Sequence, residues 1–283
     1  TAPVRAQNYE LSSRKVAERL GIQLVDLDFT CCGFPVENIK HETALAMAAR
    51  NLALAEKNGL DVVAICSACA TTLTRLNMLL KESEELLRTV NEHLKALGYE
   101  YKGSVKAKHF ARLLYEDIGL DRIRAAVKKP LKGVKIAVHY GCHYTRPSEV
   151  QGRFEDYEAP HSLQDLVEVT GAETVPHESE KCCGGALLGI DQEVAFIMSK
   201  EKLDYAKSAG ADALVIICPF CGLMYDVFQE NIGEMFNREY KLPVLYYPQL
   251  LGLAMGFSAD ELGFRLNRVE ATSLIEKIAK EGI

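Results

Sequence analysis

Nine cysteines, in a pattern that occurs twice, are the residues of this chain best suited to chemistry. The triplet CCG begins at Cys31 and again at Cys182, and a CxxC motif follows each triplet, at Cys66 and at Cys218. The triplets are 151 residues apart and the CxxC motifs 152 residues apart, which indicates an internal duplication. The ninth cysteine, Cys142, precedes the second triplet.

The number of cysteines favours reduced thiolates that bind a ligand over paired disulfides. Nine cysteines are few for a disulfide scaffold of 283 residues, and their number is odd. The start of the sequence has no pattern typical of a secretory signal, and no apolar run approaches the roughly 18 residues of a membrane span. We therefore expect a cytoplasmic protein. A formal net charge of −6 also argues against a nucleic-acid partner.

The segments around the cysteines predict the elements that position them. In both copies a helical pattern ends in glycine, a short β-branched run leads into the CxxC, and a second helical pattern follows. This alternation predicts an α/β fold of two pseudo-twofold-related, Rossmann-like repeats, each with a short parallel sheet flanked by helices and a CCG…CxxC site. The stretch AAVKKPLKG is typical of a boundary. We place the first repeat at 1–115 and the second, with the C-terminal helices, at 116–283.

Cys142 ends a predicted strand, GVKIAVHYGC, and has no counterpart in the first repeat. Aligning TAPVRAQNYE with the HYTRPSEV that follows Cys142 places Arg5 near Arg146. The same alignment places a cysteine just before Thr1. We therefore expect the natural protein to carry a tenth cysteine there, so that the chain is clipped inside its first motif.

Several kinds of site could use these cysteines. Structural zinc takes four ligands, so five cysteines per repeat would leave one over, and the planar peptide between adjacent cysteines limits their reach around one ion. A thioredoxin-like dithiol explains only the CxxC motifs. An iron–sulfur cluster explains most, because neighbouring thiolates can bind different irons and Gly33, Gly184 and Gly185 let the backbone approach inorganic sulfide. One zinc and one cluster, in different repeats, is a further arrangement.

The repeated C…CCG…CxxC pattern resembles the CCG-domain family, and in particular the catalytic B subunits of methanogenic heterodisulfide reductases. The likeness runs from TAPVRAQNYE to YYPQLLGLAMG, nearly the whole chain. It implies a noncubane [4Fe–4S] cluster in each repeat, bound through five cysteines. The first cluster would use the expected upstream cysteine with Cys31, Cys32, Cys66 and Cys69. The second would use Cys142, Cys182, Cys183, Cys218 and Cys221.

The resemblance also implies an activity and partners. The substrate would be the mixed disulfide of coenzyme M and coenzyme B, reduced to two thiols with one electron from each cluster. The sequence has no glycine-rich phosphate loop for flavin or nicotinamide, so electrons would arrive from another protein. The implied partners are a ferredoxin-like C subunit, a flavin-containing A subunit that bifurcates electrons, and a hydrogenase or formate dehydrogenase.

Four residues beside the cysteine motifs are candidates for work on the substrate. An anionic disulfide needs fixed cations, and Arg5, Arg146 and Lys181 are the candidates; the alternative for each is an ordinary surface charge. His143 is the candidate for delivering protons to the product thiolates, and its alternative role is a hydrogen bond to the cluster or to a carbonyl. His139, on the strand before Cys142, is expected to be a buried structural residue.

Two other functions stay open at this point. The chain could be a CCG protein that acts on another acceptor, as in thiol-dependent fumarate reductases or sulfur-metabolism complexes. It could also be a zinc-bound scaffold or an electron-transfer module without a substrate of its own.

Overall fold

The computed structural model describes residues 2–152, 154–176 and 181–281. The first part of the chain contains α1 (Ala2–Arg5), α2 (Gln7–Arg19), a 3-10 turn (Phe34–Val36), α3 (His41–Lys57), β1 (Val62–Ala64), α4 (Ser67–Glu82), α5 (Glu84–Lys95), β2 (Ala107–His109), α6 (Phe110–Leu113), a π-helical turn (Leu114–Ile118) and α7 (Leu120–Ala126).

The second part opens with a strand and repeats the same order around its CxxC motif. Its elements are β3 (Lys135–His139), α8 (Cys142–Thr145), α9 (Ser148–Gln151), α10 (Ser162–Glu168), β4 (Glu173–Thr174), α11 (Gln192–Ser208), β5 (Ala213–Ile216), α12 (Pro219–Gly222), a π-helical turn (Leu223–Val227), α13 (Gln229–Phe236), β6 (Val244–Tyr246), α14 (Tyr247–Ala254), a 3-10 turn (Phe264–Leu266) and α15 (Thr272–Glu281).

Parallel sheets organise both repeats. Strands β1 and β2 form a parallel pair in which Val62 lies opposite Ala107. The second repeat has four parallel strands in the order β4-β3-β5-β6. The β1–β2 pair corresponds to the β5–β6 pair, because β1 and β5 both lead into a CxxC motif. The predicted α/β architecture of two repeats with short parallel sheets is confirmed.

Strand β5 is buried on both faces. Val215 belongs to an apolar cluster that includes side chains of α2, α10 and α14, whereas Leu214 and Ile216 belong to a cluster on the other face with α11 and α13. A strand covered on both sides reads as a continuous apolar run rather than an alternation, which is why ALVII is uninterrupted. A third apolar cluster joins α3, α4 and α5 within the first repeat.

The two repeats share a core. Val16 and Leu20 on α2 belong to the same buried cluster as Leu250 on α14. Tyr9 on α2 also stacks on Tyr246, with ring centroids 4.1 Å apart and planes 9° from parallel. Because this shared core holds the repeats together, the ends of their central strands are kept close to each other.

One predicted helix is two. The periodic segment after Cys69 reads as a single long helix, but it divides into α4 and α5 at Ser83, whose backbone is extended. The Ser83 hydroxyl accepts a hydrogen bond from the backbone N–H of Leu86 at 3.2 Å and so caps α5.

The boundary between the repeats near residue 115 stays a prediction. Across the described ranges, none of the helices has the length and apolar character needed to cross a membrane.

Candidate metal centre

Three cysteines begin helices at the ends of parallel strands. Cys66 follows β1 and caps α4, Cys142 follows β3 and begins α8, and Cys218 follows β5 and caps α12. The carboxyl ends of parallel strands in one sheet lie at the same edge, where helix N-termini favour thiolate over thiol, so Cys142 and Cys218 reach one region. Cys66, at the end of a strand of the two-stranded sheet, joins them by packing against the buried cluster that contains Cys218 and Cys221.

The CCG loops sit tightly on the helices that follow them. Gly33 and Gly184 have φ of 92° and 78°, in the left-handed region. A Cβ on Gly33 would lie 2.7 Å from the Ala44 carbonyl oxygen of α3, and one on Gly184 would lie 2.6 Å from the Ala195 carbonyl oxygen of α11. These two glycines are therefore required by backbone packing, a reason different from the approach to sulfide that the sequence suggested.

Each CCG loop is also held by a polar side chain of the next helix. Asn51 on α3 accepts from the Thr30 N–H at 2.9 Å and donates to the Thr30 and Cys31 carbonyls at 3.1 and 3.3 Å. In the second repeat, Ser199 on α11 donates to the Cys183 carbonyl at 2.7 Å. The two loops thus have equivalent backbones and different anchors.

Eight of the nine cysteines, all but Cys31, follow one another as neighbours from the first repeat to the second. We name Cys31, Cys32, Cys66 and Cys69 the first cysteine set, and Cys142, Cys182, Cys183, Cys218 and Cys221 the second cysteine set. The Cys142 thiol donates to Cys182 across 3.9 Å, and neighbouring side chains shift one another's pKa in the order Cys32, Cys69, Cys66, Cys218, Cys221, Cys183, Cys182. All nine thiols are free of disulfides. The two sets meet at the contact between Cys66 and Cys218.

Interactions between neighbouring cysteines lower the pKa of one thiol in each pair. The Cys32 thiol donates to Cys69 and, with Cys66, lowers the pKa of Cys69 to about 4. The Cys142 thiol donates to Cys182 across 3.9 Å and lowers the pKa of Cys182 to about 2. In each pair the donor's pKa is raised in return. Each set therefore contains a cysteine, Cys69 or Cys182, whose lowered pKa favours the thiolate form.

The second cysteine set fits a multi-iron cluster better than a single zinc ion. It contains five cysteines, one more than a tetrahedral zinc site takes, and the sulfurs of Cys183 and Cys221 lie within 4.8 Å of each other. Two glycines lie against these sulfurs: a Cβ on Gly141 would lie 3.4 Å from the Cys221 sulfur, and one on Gly185 would lie 3.4 Å from the Cys183 sulfur. The first set supplies four sulfurs within the described residues.

Three aromatic rings lie where the two repeats meet. Phe34, two residues after Cys32, makes an edge contact with His143 at 4.8 Å between centroids and with Phe220 at 6.3 Å. By alignment of the repeats, Gly185 occupies the position of Phe34, and Ala68 the position of Phe220. A Cβ on Gly185 would lie 3.4 Å from the Cβ of Phe220, so the large and small residues are exchanged between repeats.

The turn that carries His143 is anchored by the first repeat. The Thr71 hydroxyl on α4 donates to the His143 carbonyl, and the Gln151 side-chain amide donates to the same carbonyl at 3.0 Å and to Thr71 at 2.7 Å. Burial lowers the pKa of the half-buried His143 ring. The imidazole is therefore neutral at pH 7, and its imidazolium form is a stronger acid than that of free histidine.

The three candidate cations are exposed. Arg5 ends α1 at the surface, and the Arg146 guanidinium lies 5.5 Å from the centre of the Tyr157 ring. Lys181 pairs with Glu201, with 2.9 Å between the ammonium nitrogen and a carboxylate oxygen. Their roles toward a substrate stay predictions.

A separate cavity of about 860 Å³ lies between α13 and the segment before α15, and its described lining contains no cysteine.

Tyr9 and His109, for which the sequence predicted no role, lie in the first repeat and contact the backbone beside the second cysteine set. The Tyr9 hydroxyl donates to the Ile217 carbonyl at 3.0 Å, and His109 Nε2 lies 3.0 Å from the same oxygen. Because His109 Nδ1 accepts from the Ala111 N–H, the ring proton lies on Nε2, which donates. Ile217 directly precedes Cys218. Aligning AKHF of the first repeat with VLYY of the second pairs His109 with Tyr246, and this is the one sequence pattern that could have pointed to a role for His109.

Comparison with known proteins identifies the family of the chain. The CCG cysteine-rich domain profile matches residues 1–74 and 136–226. The chain is 36% identical over 282 residues to the B subunit of a ferredoxin/F420H2-dependent CoB–CoM heterodisulfide reductase of Methanosarcina acetivorans, covering 98% of this chain and 93% of that protein. The B subunit of a ferredoxin:CoB–CoM heterodisulfide reductase of Methanosarcina mazei is also 36% identical, with the same coverage.

Two further relatives define the breadth of the likeness. An 8-methylmenaquinol:fumarate reductase membrane anchor subunit of Wolinella succinogenes is 34% identical over 266 residues, covering 93% of this chain and 92% of that protein. A crystal structure of a hypothetical protein from Helicobacter pylori superposes with a TM-score of 0.76 at 18% identity, covering 93% of this chain and 49% of that one. That structure supports the fold alone. The chain therefore belongs to the family of CCG cysteine-rich-domain proteins, among relatives that are B subunits of heterodisulfide reductases.

Proposed function

We propose that this chain is the catalytic component that reduces the mixed disulfide of coenzyme M and coenzyme B to two thiols. The observation that carries the proposal is that Cys66 of the first cysteine set packs against the buried cluster that contains Cys183, Cys218 and Cys221 of the second. The relatives named as heterodisulfide reductase B subunits support the choice of substrate. A disulfide has two sulfur atoms, and two adjoining thiolate-rich sites can each receive one of them.

The reaction takes up two electrons and two protons: the sulfur–sulfur bond breaks and two S–H bonds form. When bound, two noncubane [4Fe–4S] clusters supply one electron each. The second cysteine set would hold one cluster through all five of its sulfurs. The first set would hold the other through its four sulfurs and the cysteine expected upstream of Thr1.

The remaining residues would hold the substrate and supply protons. His143, at the junction of the repeats, would take up a proton from solvent and pass it to a product thiolate; its lowered pKa keeps the resting ring neutral and makes the imidazolium, once formed, a ready proton donor. Phe34 and Phe220 would exclude water from the space beside it. Arg5, Arg146 and Lys181 would bind the sulfonate, phosphate and carboxylate groups of the substrate.

Electrons would enter from partner proteins. A ferredoxin-like C subunit would deliver them, a flavin-containing A subunit would bifurcate them, and a hydrogenase or formate dehydrogenase would be their source. The names of the relatives, which describe them as B subunits, support an assembly of several chains. A cytoplasmic location fits this set of partners.

A second candidate is a CCG protein that serves another acceptor. The relative from Wolinella succinogenes, named as part of a fumarate reductase, favours this alternative. In that case the chain would pass electrons onward and Arg5, Arg146 and Lys181 would have no substrate to bind. A zinc-bound scaffold is a third arrangement, with no redox chemistry in the chain.

Metal and sulfide analysis of anaerobically purified, full-length protein tests these alternatives. Two four-iron clusters predict about eight irons and a similar amount of acid-labile sulfide per chain, with no zinc. Turnover of the coenzyme M–coenzyme B disulfide by that protein in its complex then supports the first candidate. About four irons with one zinc would reject one electron from each site, and zinc alone would reject the redox function.

A further inference from the structure

His139 lies beside the second cysteine set. It ends strand β3, three residues before Cys142, and only 1% of the residue is exposed. One of its ring nitrogens and the sulfurs of Cys183 and Cys221 all lie within 4.8 Å of one another. The three residues come from a strand, a CCG loop and a CxxC motif, so the fold alone brings this nitrogen to these sulfurs.

The position of the imidazole is set by a rigid frame. His139 pairs in register with Ile216 of β5, two residues before Cys218. The Tyr225 ring, on the helical segment after the CxxC, makes an edge contact with it at 4.9 Å between centroids and 77° between planes. A side chain on a central strand and against a buried ring has little freedom to turn away from the sulfurs.

The chemistry of the group favours a hydrogen bond to sulfur over another ligand. The second cysteine set supplies five cysteines, the number that the family resemblance implies for one cluster, so a cluster would have its ligands without nitrogen. An imidazole N–H within reach of ligating sulfurs withdraws negative charge from them, and such bonds raise the reduction potential of an iron–sulfur centre. Within 2–152, 154–176 and 181–281, no histidine forms a comparable group with the first cysteine set.

We propose that His139 donates a hydrogen bond to sulfur at the second cysteine set and thereby holds the second site at a higher reduction potential than the first. The inference rests on the proposed function insofar as it requires an iron–sulfur cluster at each site. It deepens that function by giving the two electrons of the reaction unequal sources. His139 acts through the sulfurs and is a positioning residue, with no contact to substrate implied.

The test is a redox titration followed by EPR on anaerobically purified, full-length protein, with iron and sulfide counted in every sample. His139→Leu removes the donor, and His139→Gln retains an N–H. We expect the midpoint potential of the second site to fall in His139→Leu and to recover in part in His139→Gln. The first site of the same molecule serves as the internal control and is expected not to shift.

Labelling with ¹⁵N-histidine identifies the contact directly. Pulsed EPR on a Cys32→Ala background, which leaves the second site as the intact one, is expected to detect a weak nitrogen coupling that His139→Leu abolishes. A strong coupling typical of iron-bound nitrogen would overturn the donor role. Unchanged potentials in His139→Leu with full iron content would also overturn it while leaving the proposed function standing. Protein without iron or sulfide would reject the proposed function itself.

Discussion

In the second repeat, which has the four-stranded sheet, Cys183, Cys218 and Cys221 are buried, whereas in the first repeat only Cys32 is buried and Cys31 is exposed. The local motif is the same, and so is the left-handed glycine that follows each cysteine pair. The surroundings differ in the anchors of the loops, in the placing of the large aromatic rings, and in the histidine beside the sulfurs.

This difference separates two requirements. The spacing of the thiolates and the glycine turn determine whether a site can bind, and both copies have retained them. Solvent access and hydrogen bonds to sulfur would determine the reduction potential of a bound cluster, and the burial of the cysteines and the presence of a nearby histidine differ between the repeats. A duplicated site could thus keep its cysteines while its two copies acquire different electronic properties.

The strongest test of the comparison is to remove one ligand from each site. Cys32→Ala and Cys183→Ala are each expected to reduce disulfide turnover to the uncatalysed background, because one electron alone cannot complete the reaction. Iron content is expected to fall from about eight to about four per chain in both variants. Turnover at half the normal rate in either variant would contradict the need for both sites.

The glycine turns are expected to be equally indispensable in both repeats. Gly33→Ala and Gly184→Ala would place a Cβ against helix backbone, which costs about 1–3 kcal/mol by overpacking, and about 1–2 kcal/mol more for positive φ. Gly59→Ala and Gly210→Ala are matched controls at equivalent positions, with φ of 65° and 71° and no atoms within 4 Å. Urea unfolding measures the four free energies, and equal losses in all of them would contradict the packing argument.

Acid is expected to loosen the contact that His109 makes with the second repeat. Burial lowers the pKa of His109 from 6.5 to about 4, so the unfolded chain binds more protons between these pH values. The free energy of unfolding therefore falls as pH drops below 6.5, by up to about 3 kcal/mol at pH 4. Unfolding of the wild type and His109→Gln across this range measures the share of His109, and identical slopes would refute it.

The smallest stability effect is expected at Lys181. Its ion pair with Glu201 is about half exposed, at 51% and 50%, so Lys181→Gln is expected to change the free energy of unfolding by less than about 1 kcal/mol. If Lys181 binds the anionic substrate, KM rises while kcat is retained. Lys200→Gln, which removes the neighbouring pair with Asp204, is the control and should leave KM unchanged. An unaltered KM in Lys181→Gln would remove it from the substrate site.

Much of the fold could be read from local patterns. The apolar run before Cys218 and the periodic segment before it are a strand and a helix as predicted, because complete burial and amphipathic packing leave clear signatures. The split at Ser83 was missed, since a capping serine inside a long helical pattern does not by itself reveal a break. The two repeats were evident because covalent spacing survives in the sequence.

The site was only partly readable. The cysteines could be recognised from their spacing. Tyr9, Thr71 and His109 could not, because each forms a hydrogen bond with a residue of the other repeat that is more than 70 positions away. The glycines were recognised, yet the clash that requires them involves the following helix. His139 was interpreted as structural because no local pattern indicates which strand residue will face a sulfur.

The sequence by itself determined the duplication, the cysteine motifs, the strand-to-helix turns that carry them and the resemblance to the CCG family, since these depend on residue type and on distance along the chain. Only the tertiary structure decided that the two cysteine sets meet at Cys66 and Cys218, that the first repeat anchors Ile217 and His143, and that His139 faces the second set. Those relations follow from strand pairing and from the core shared by the repeats, which bring together side chains that the sequence holds far apart.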